Sequence, residues 1–394
     1  MNKKFKIKVF NQLSYFFKDE SSSGLVLIFC AIIAMIIANS SIAGAYEHLL
    51  HKNITIGYKD FSLSMSILHW INDGLMAIFF LVVGMEIKRE LVIGELKSIK
   101  KAILPISAAI GGMVMPAVIY LISNYNQPTV GGWGIPMATD IAFALGILSL
   151  VGKNAPKGIV IFLTALAIVD DLGAIIVIAI FYTSQISFSA LIVGVVIFIL
   201  LILANKFKVK FKSAYIIGGI FLWICILKSG IHATVAGVLL GMVLPLGKDA
   251  NESKKSMLHK FEHALSPWSS FVIMPMFALA NSGITIDFSS LQRSFFTPVS
   301  LGIIFGLFIG KQIGIFGVSY ILVKLKVAKL PSKVTKRHLY GASVLGGIGF
   351  TMSLFVSSLS FSDAGVLSIV KISIMISSIL AAAAGMIIYK FIIR

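Results

Sequence analysis

Two aspartates, Asp170 and Asp171, stand side by side inside an apolar stretch that runs from 158 to 182. Neighbouring residues of an α-helix point about 100° apart, so the two carboxylates face different surroundings, and one can hold an ion while the other meets a lysine. Carboxylate oxygens are hard ligands suited to a small hard cation, and the same oxygens take protons. Loss of hydration and a like-charged neighbour strengthen a carboxylate's hold on a proton, whereas a nearby ammonium weakens it. Proton and cation then compete for the same atoms, and competition for one site is a means of exchange. The plainer reading is a structural pair of acids buried against lysines.

Other charged groups lie equally deep in apolar stretches: Asp73 within 66–87, Asp140 within 130–151, Lys311 within 298–323 and Lys371 within 364–389. A charge at the centre of a bilayer costs roughly 2.5 to 3.5 kcal/mol on insertion scales, so each needs a partner, a water-filled cavity or a role. Together they are expected to converge in the protein interior. Two of the stretches are rich in helix breakers. One carries Gly131, Gly132, Gly134 and Pro136 ahead of Thr139 and Asp140; the other runs from Gly341 through Gly346, Gly347 and Gly349 to Thr351 and Ser353. Interrupted helices persist at membrane depth only where they are buried or line a cavity, and a pair of them in corresponding halves marks an ion site. Asp140, beside Thr139, is placed to neutralise half-helix N-termini, and Lys311 the C-terminal ends. Ordinary packing of small residues between helices would give the same composition.

At the far end of the Asp73 stretch, Glu86, Lys88, Arg89 and Glu90 make with Asp73 either an ion pathway or a snorkelling helix end. Glu262 and His263 precede a stretch at 264–285; a histidine there titrates near neutrality and can gate activity with pH, a solvated helix end being the alternative. His232 reads as a packing histidine.

Long apolar elements must hold these residues. Of 394 residues, 58% are hydrophobic and 13% charged, against about 45 to 50% and about 25% in soluble proteins. Runs of roughly 17 to 25 apolar residues suit a membrane-crossing helix. Twelve such spans are read, at 24–40, 66–87, 102–124, 130–151, 158–182, 188–205, 213–227, 229–246, 264–285, 298–323, 340–361 and 364–389. The seventh and eighth are short and abut at Lys228-Ser229-Gly230. The net charge of +18 sits in alternate loops, such as Lys88 to Lys101, Lys206 to Lys212 and Lys324 to Arg337, while the intervening loops hold Lys52, Lys59, Lys228 and Arg293. The positive-inside rule then places both termini in the cytoplasm and accounts for the charge without nucleic acid. The chain reads as one all-α transmembrane domain over 1–394, in a bacterial cytoplasmic (inner) membrane.

The basic first twenty residues, with Phe5, Ile7, Val9, Phe10, Leu13, Phe16 and Phe17, suit an amphipathic helix on anionic lipid. Nothing after the first span looks like a signal cleavage site. Partial alternation from Asn53, with Gly57 near its middle, predicts a small external β-hairpin within 45–65 that can pair with the edge of another copy. Cys30 and Cys225, each within an apolar run, speak against a disulfide framework or a thiolate metal site. No zinc motif, P-loop or dinucleotide fingerprint implies a cofactor.

The segments Ile71 to Phe80 (INDGLMAIFF), Gly84 to Leu91 (GMEIKREL), Ala138 to Leu145 (ATDIAFAL), Ala165 to Ala174 (ALAIVDDLGA), Lys228 to Thr234 (KSGIHAT), Gly310 to Ile315 (GKQIGI) and Gly346 to Ser353 (GGIGFTMS) occur in that order. Through them the chain resembles the NhaA family of sodium/proton antiporters from about Asp19 to Lys390. The resemblance implies inverted repeats, with spans four and eleven as crossed discontinuous helices. It implies that Asp171, with Asp170, binds sodium and protons, that Lys311 pairs with Asp170, and that Asp140 and Lys311 compensate the crossed half-helices. It further implies a cytoplasmic funnel for pH activation along Asp73, Glu86, Glu90, Glu262 and His263, and a homodimer through the hairpin. Family members can carry a histidine where this chain has Ser266 before Pro267 and Trp268, a departure that bears on the pH threshold.

The expected activity is therefore electrogenic export of sodium or lithium against protons, two carboxyls suggesting two protons per sodium. A sodium-coupled solute symporter and a passive cation channel are the rival transporters. An intramembrane aspartyl protease would need two facing aspartates, for which Asp140 and Asp170 are candidates, but its Gly-x-Gly-Asp motif is absent, and no enzyme is expected.

Overall fold

In lipid every backbone N–H and C=O must find a partner within the protein, which leaves helices as the economical form for long apolar runs. The computed structural model describes residues 20–58, 62–152, 155–183, 186–247, 249–285 and 295–392. The expected amphipathic segment at 1–20 lies outside the described residues, apart from the backbone of Glu20. Helix α1 (Glu20–Ala38) turns through 113° into α2 (Ala43–His51). Strands β1 (Asn53–Ile56) and β2 (Leu63–Ser66) pair antiparallel, with Asn53 opposite Ser66 and Ile56 opposite Leu63. The hairpin is thus shorter at its start than the expected 45–65, because the residues before His51 continue a helix.

Next come α3 (Ile67–Val92), α4 (Ile99–Ser123), a 3₁₀ half-helix Pro128–Met137 bent by 44° from α5 (Ile141–Val151), α6 (Lys157–Phe181), α7 (Phe188–Lys206) and α8 (Lys212–Ser229). Gly230, at φ 85, ends α8 in the left-handed conformation that glycine adopts without steric cost. The chain then enters α9 (Thr234–Val243). Helix α10 opens as Met257–Trp268 and continues through a wider turn at Ser269–Ile273 to Met274–Asn281. Helices α11 (Pro298–Lys324), α12 (Lys336–Leu345), α13 (Phe350–Ser360) and α14 (Ala364–Ile392) complete the described chain, α12 and α13 meeting at 43°.

Among the described residues seven helices are long and apolar enough to cross a membrane, or ten if each bent pair forms one span. The expected twelve do not emerge on that test. At 1.5 Å per residue the ten residues of α9 reach only about 15 Å, and α10 begins with Lys260, Glu262 and His263.

Helix α6 occupies the interior, largely buried along its length, whereas α7 presents most of its surface outward. Glycines let the interior helices approach backbone to backbone. A Cβ on Gly314 of α11 would lie 2.1 Å from the Gly111 carbonyl oxygen of α4, and one on Gly237 of α9 would lie 2.1 Å from that of Ala77 on α3. Small residues at such contacts are the common means of helix association in membranes.

Candidate functional site

Helix α6 runs unbroken past Asp170 and Asp171. Opposite it, α11 widens into π-type turns at Gly306–Gly310 and again at Gln312–Gly317, so Lys311 is flanked by both. Such bulges re-aim side chains and recur at functional sites. Gly112 of α4 leaves room for Ile315 of α11, with the aliphatic stem of Lys311 passing close by, and the ammonium donates to Asp170 Oδ2 at 2.8 Å. Lys311, Asp170 and Asp171 are 0, 1 and 3% exposed. Asp170 Oδ1 and Asp171 Oδ1 are buried and, among the described residues, have no hydrogen-bond partner. Unsatisfied buried polar atoms are costly and uncommon, and two carboxylate oxygens of this kind on adjacent residues make an acceptor-rich position for a proton or a hard cation.

The two helix breaks lie against each other beside this pair. Thr139 Oγ1 donates to the Gly346 carbonyl at 2.9 Å, and Asp140 N–H donates to that of Ile348 at 2.7 Å. Asp140 also caps two helices. Its Oδ1 accepts from Phe143 N–H of α5 at 3.0 Å, and its Oδ2 accepts from Thr351 N–H of α13 at 3.1 Å and from the Thr351 hydroxyl. The next free N–H of α13, that of Phe350, is taken by Ser378 Oγ of α14 at 3.1 Å. Orphan N–H groups of both half-helices thus end on side-chain oxygens, one of them anionic, as helix N-termini favour.

The expected funnel residues fall into two groups. Asp73 sits in a π-type turn near the hairpin end of α3, where its carboxylate lies 3.0 Å from His69 Nε2 and 3.2 Å from His232 Nε2. At the other end of α3, Arg89 reaches Glu90 at 2.9 Å and Glu262 of α10 at 3.0 Å, and Glu86 acts on Arg89 from the preceding turn. At 1.5 Å per residue, Asp73 and Glu86 stand about 20 Å apart. His263 faces His259, ring centroids 6.4 Å apart, and takes no part in the Arg89 pairing. Lys371 is half-buried on α14 and, among the described residues, joins neither hydrogen-bonded group.

Three partners escaped the reading of the chain. His69 had a local signal, being four residues before Asp73 on one helical face. His232, expected to pack, does so edge-on to Phe355 of α13 but also bonds Thr234 and Asp73. Thr351 had only its place at a glycine-rich break to mark it. Among the described residues no group of three or more His, Cys, Asp or Glu is arranged to hold a metal.

The family model described as Na+/H+ antiporter 1 matches residues 14–389. The chain is 74% identical over 392 residues to the Na(+)/H(+) antiporter NhaA 1 of Clostridium beijerinckii, covering 100% of this chain and 98% of that one. It is 51% identical over 373 residues to the Na(+)/H(+) antiporter NhaA of Pelagibacter ubique, covering 94 and 95%. Its fold is similar to that of the solved sodium proton antiporter MjNhaP1 from Methanocaldococcus jannaschii, with a TM-score of 0.59, 15% identity and coverage of 95 and 93%.

Proposed function

Since this chain belongs to the Na+/H+ antiporter 1 family, we propose that it exports sodium or lithium in exchange for protons, using Asp170 and Asp171 as the shared site. One observation carries the assignment. Two adjacent acids are buried, one tied to Lys311 at 2.8 Å and each with a buried oxygen for which the described residues supply no partner. A carboxylate oxygen occupied by a proton cannot at the same time hold sodium. Exchange follows if the loaded site faces one side and then the other, the two bent pairs that meet at the hydrogen-bonded breaks moving with it.

The finer reading is electrogenic. Two carboxyls bring in two protons for each sodium sent out, so one net charge moves inward and draws about 2.3 kcal/mol per 100 mV of membrane potential. Lys311 compensates Asp170 when that acid is ionised and unoccupied. The reading also includes twelve crossings arranged as inverted repeats, two of them crossed broken helices, both termini in the cytoplasm of a bacterial inner membrane, pH regulation through Glu86, Glu90, Glu262 and His263, and a homodimer through the β1–β2 hairpin. The alternate-loop bias of lysines and arginines supports the orientation.

The test is sodium-driven change of internal pH in proteoliposomes, with potassium gradients setting the membrane potential. Protons should move on sodium addition, and the direction should reverse at the potential that a two-to-one ratio dictates. Exchange indifferent to potential would remove the electrogenic reading, and sodium flux without proton movement would remove antiport altogether.

A further inference from the structure

The half-helix Pro128–Met137 has few side chains with which to hold itself, since Gly131, Gly132 and Gly134 stand in its middle. Glycine loses more conformational freedom on ordering than any other residue, so a segment of this kind needs anchors from outside. Tyr182, the residue that ends α6, supplies them. Its hydroxyl accepts from Gly134 N–H at 3.0 Å and donates to the Gly131 carbonyl at 2.9 Å, and Ser360 at the end of α13 acts on it as well. Gly134 is what admits it: a Cβ there would lie 2.7 Å from the Tyr182 hydroxyl. Behind the hydroxyl, Trp133 packs edge-on to Phe181, centroids 5.0 Å apart.

Resting on the exchange reading above, we propose that Tyr182 is a positioning residue for cation binding, pinning the outer half of the first broken helix to the end of the helix that carries Asp170 and Asp171. It stands eleven residues beyond Asp171, about 16 Å along the helix, and so acts without touching the ion. What it fixes is the register of the half-helix whose inner end leads directly to Thr139 and Asp140. Without the pin, the glycine-rich half slides or frays, and the break that faces the acids is no longer held in the geometry that binds sodium.

Two substitutions test this in proteoliposomes, alone and together. Tyr182→Phe keeps the ring and removes the hydrogen bonds of the hydroxyl, those to Gly134 and Gly131 among them. Gly134→Ala keeps the tyrosine and displaces its hydroxyl; the φ of Gly134 is not positive, so alanine is free of backbone strain there. Each is expected to raise the apparent KM for sodium about three- to fivefold, with the maximal rate held within about twofold. The double variant is expected to be little worse than Tyr182→Phe alone, since both changes break the same contact. Amide hydrogen exchange over 130–137 should quicken in Tyr182→Phe while exchange elsewhere stays as in the wild type. An unchanged KM in both variants overturns the proposal, as does a fall in maximal rate and melting temperature with KM untouched, the mark of a purely structural tyrosine. If the wild type moves no protons on sodium addition, the exchange reading fails by itself; unaltered amide exchange over 130–137 would then still overturn the pin.

Discussion

The meeting of the two helix breaks and the acidic pair of α6 are both buried and both hold carboxylates, yet they are finished differently. At the breaks, Asp140 accepts from two backbone N–H groups and one hydroxyl, Thr139 donates to Gly346, and Ser378 takes the next free amide. At the pair, Lys311 reaches one oxygen of Asp170, and one oxygen on each acid has no protein partner. A buried polar group that is fully bonded rigidifies its surroundings, while one that is partly bonded costs stability. On the exchange reading, the difference separates a scaffold, whose polar atoms are satisfied from within, from a site with carboxylate oxygens open to a proton or a cation.

The largest expected effect breaks the pair and spares the scaffold. Asp171→Asn should abolish sodium-driven proton movement in proteoliposomes while changing stability by no more than about 1 kcal/mol, because no hydrogen bond to Asp171 Oδ1 is lost. Exchange at the wild-type rate would show that the unpartnered oxygens are not the site. Next in size is Lys311→Ala, which leaves Asp170 ionised and unpaired in the interior and should destabilise by about 3 to 5 kcal/mol. Adding Asp170→Asn should recover most of that loss in a thermal unfolding assay. Failure to recover would mean that Lys311 stabilises through its packed stem against α4 rather than through the ion pair.

The acidic pair was the more legible of the two regions. A charge inside an apolar run stands out from its neighbours alone, so Asp73, Asp140, Asp170, Asp171 and Lys311 could be singled out without any fold, and the breaks could be found from Gly131 to Pro136 and from Gly346 to Gly349. Which oxygen meets which donor could not be read, because Asp140 and Thr351 are joined by the fold across 211 residues and Asp170 and Lys311 across 141. The widened turns on either side of Lys311 have no local signature beyond glycines that also serve close packing. Seven to ten of the twelve expected spans emerge by length and apolarity among the described residues, and the others are hidden from hydropathy for a related reason. Apolarity over 229–246 looks like one crossing, yet Gly230 and Pro245 bound a helix of ten residues, and hydropathy does not see where a helix stops. Asp73 and Glu86 lie at opposite ends of one stretch, about 20 Å apart by the rise of the helix; that Asp73 pairs with His69 and His232 could not be read from it.

On the scaffold side the effects should fall on stability. Asp140→Ala removes the shared cap of α5 and α13 and leaves the Phe143 and Thr351 amides without their acceptor. A loss of about 2 to 3 kcal/mol is expected, with Asp140→Asn losing less because it keeps an acceptor oxygen. Thermal unfolding in detergent measures both. If Asp140→Asn instead kept full stability and lost all exchange, Asp140 would belong with the acidic pair, and the contrast between the two regions would have to be redrawn.

The smallest effect gives the finest test. Thr139→Val keeps the shape of the side chain and removes only the hydrogen bond to Gly346, and such bonds between membrane helices average about 0.6 kcal/mol. The melting temperature should therefore drop slightly, and the apparent KM for sodium should rise by less than about twofold, because the Asp140 bonds still hold the break that Tyr182 positions. The prediction has force because Thr139 is next to Asp140 in the chain, at the very break that faces the acids. A hydroxyl that served as a cation ligand would show itself as a raised KM far out of proportion to so small a change in stability. A KM within about twofold of the wild type with a lowered melting temperature would place the ligand boundary between the breaks and the pair, with Thr139 holding the break and not the ion.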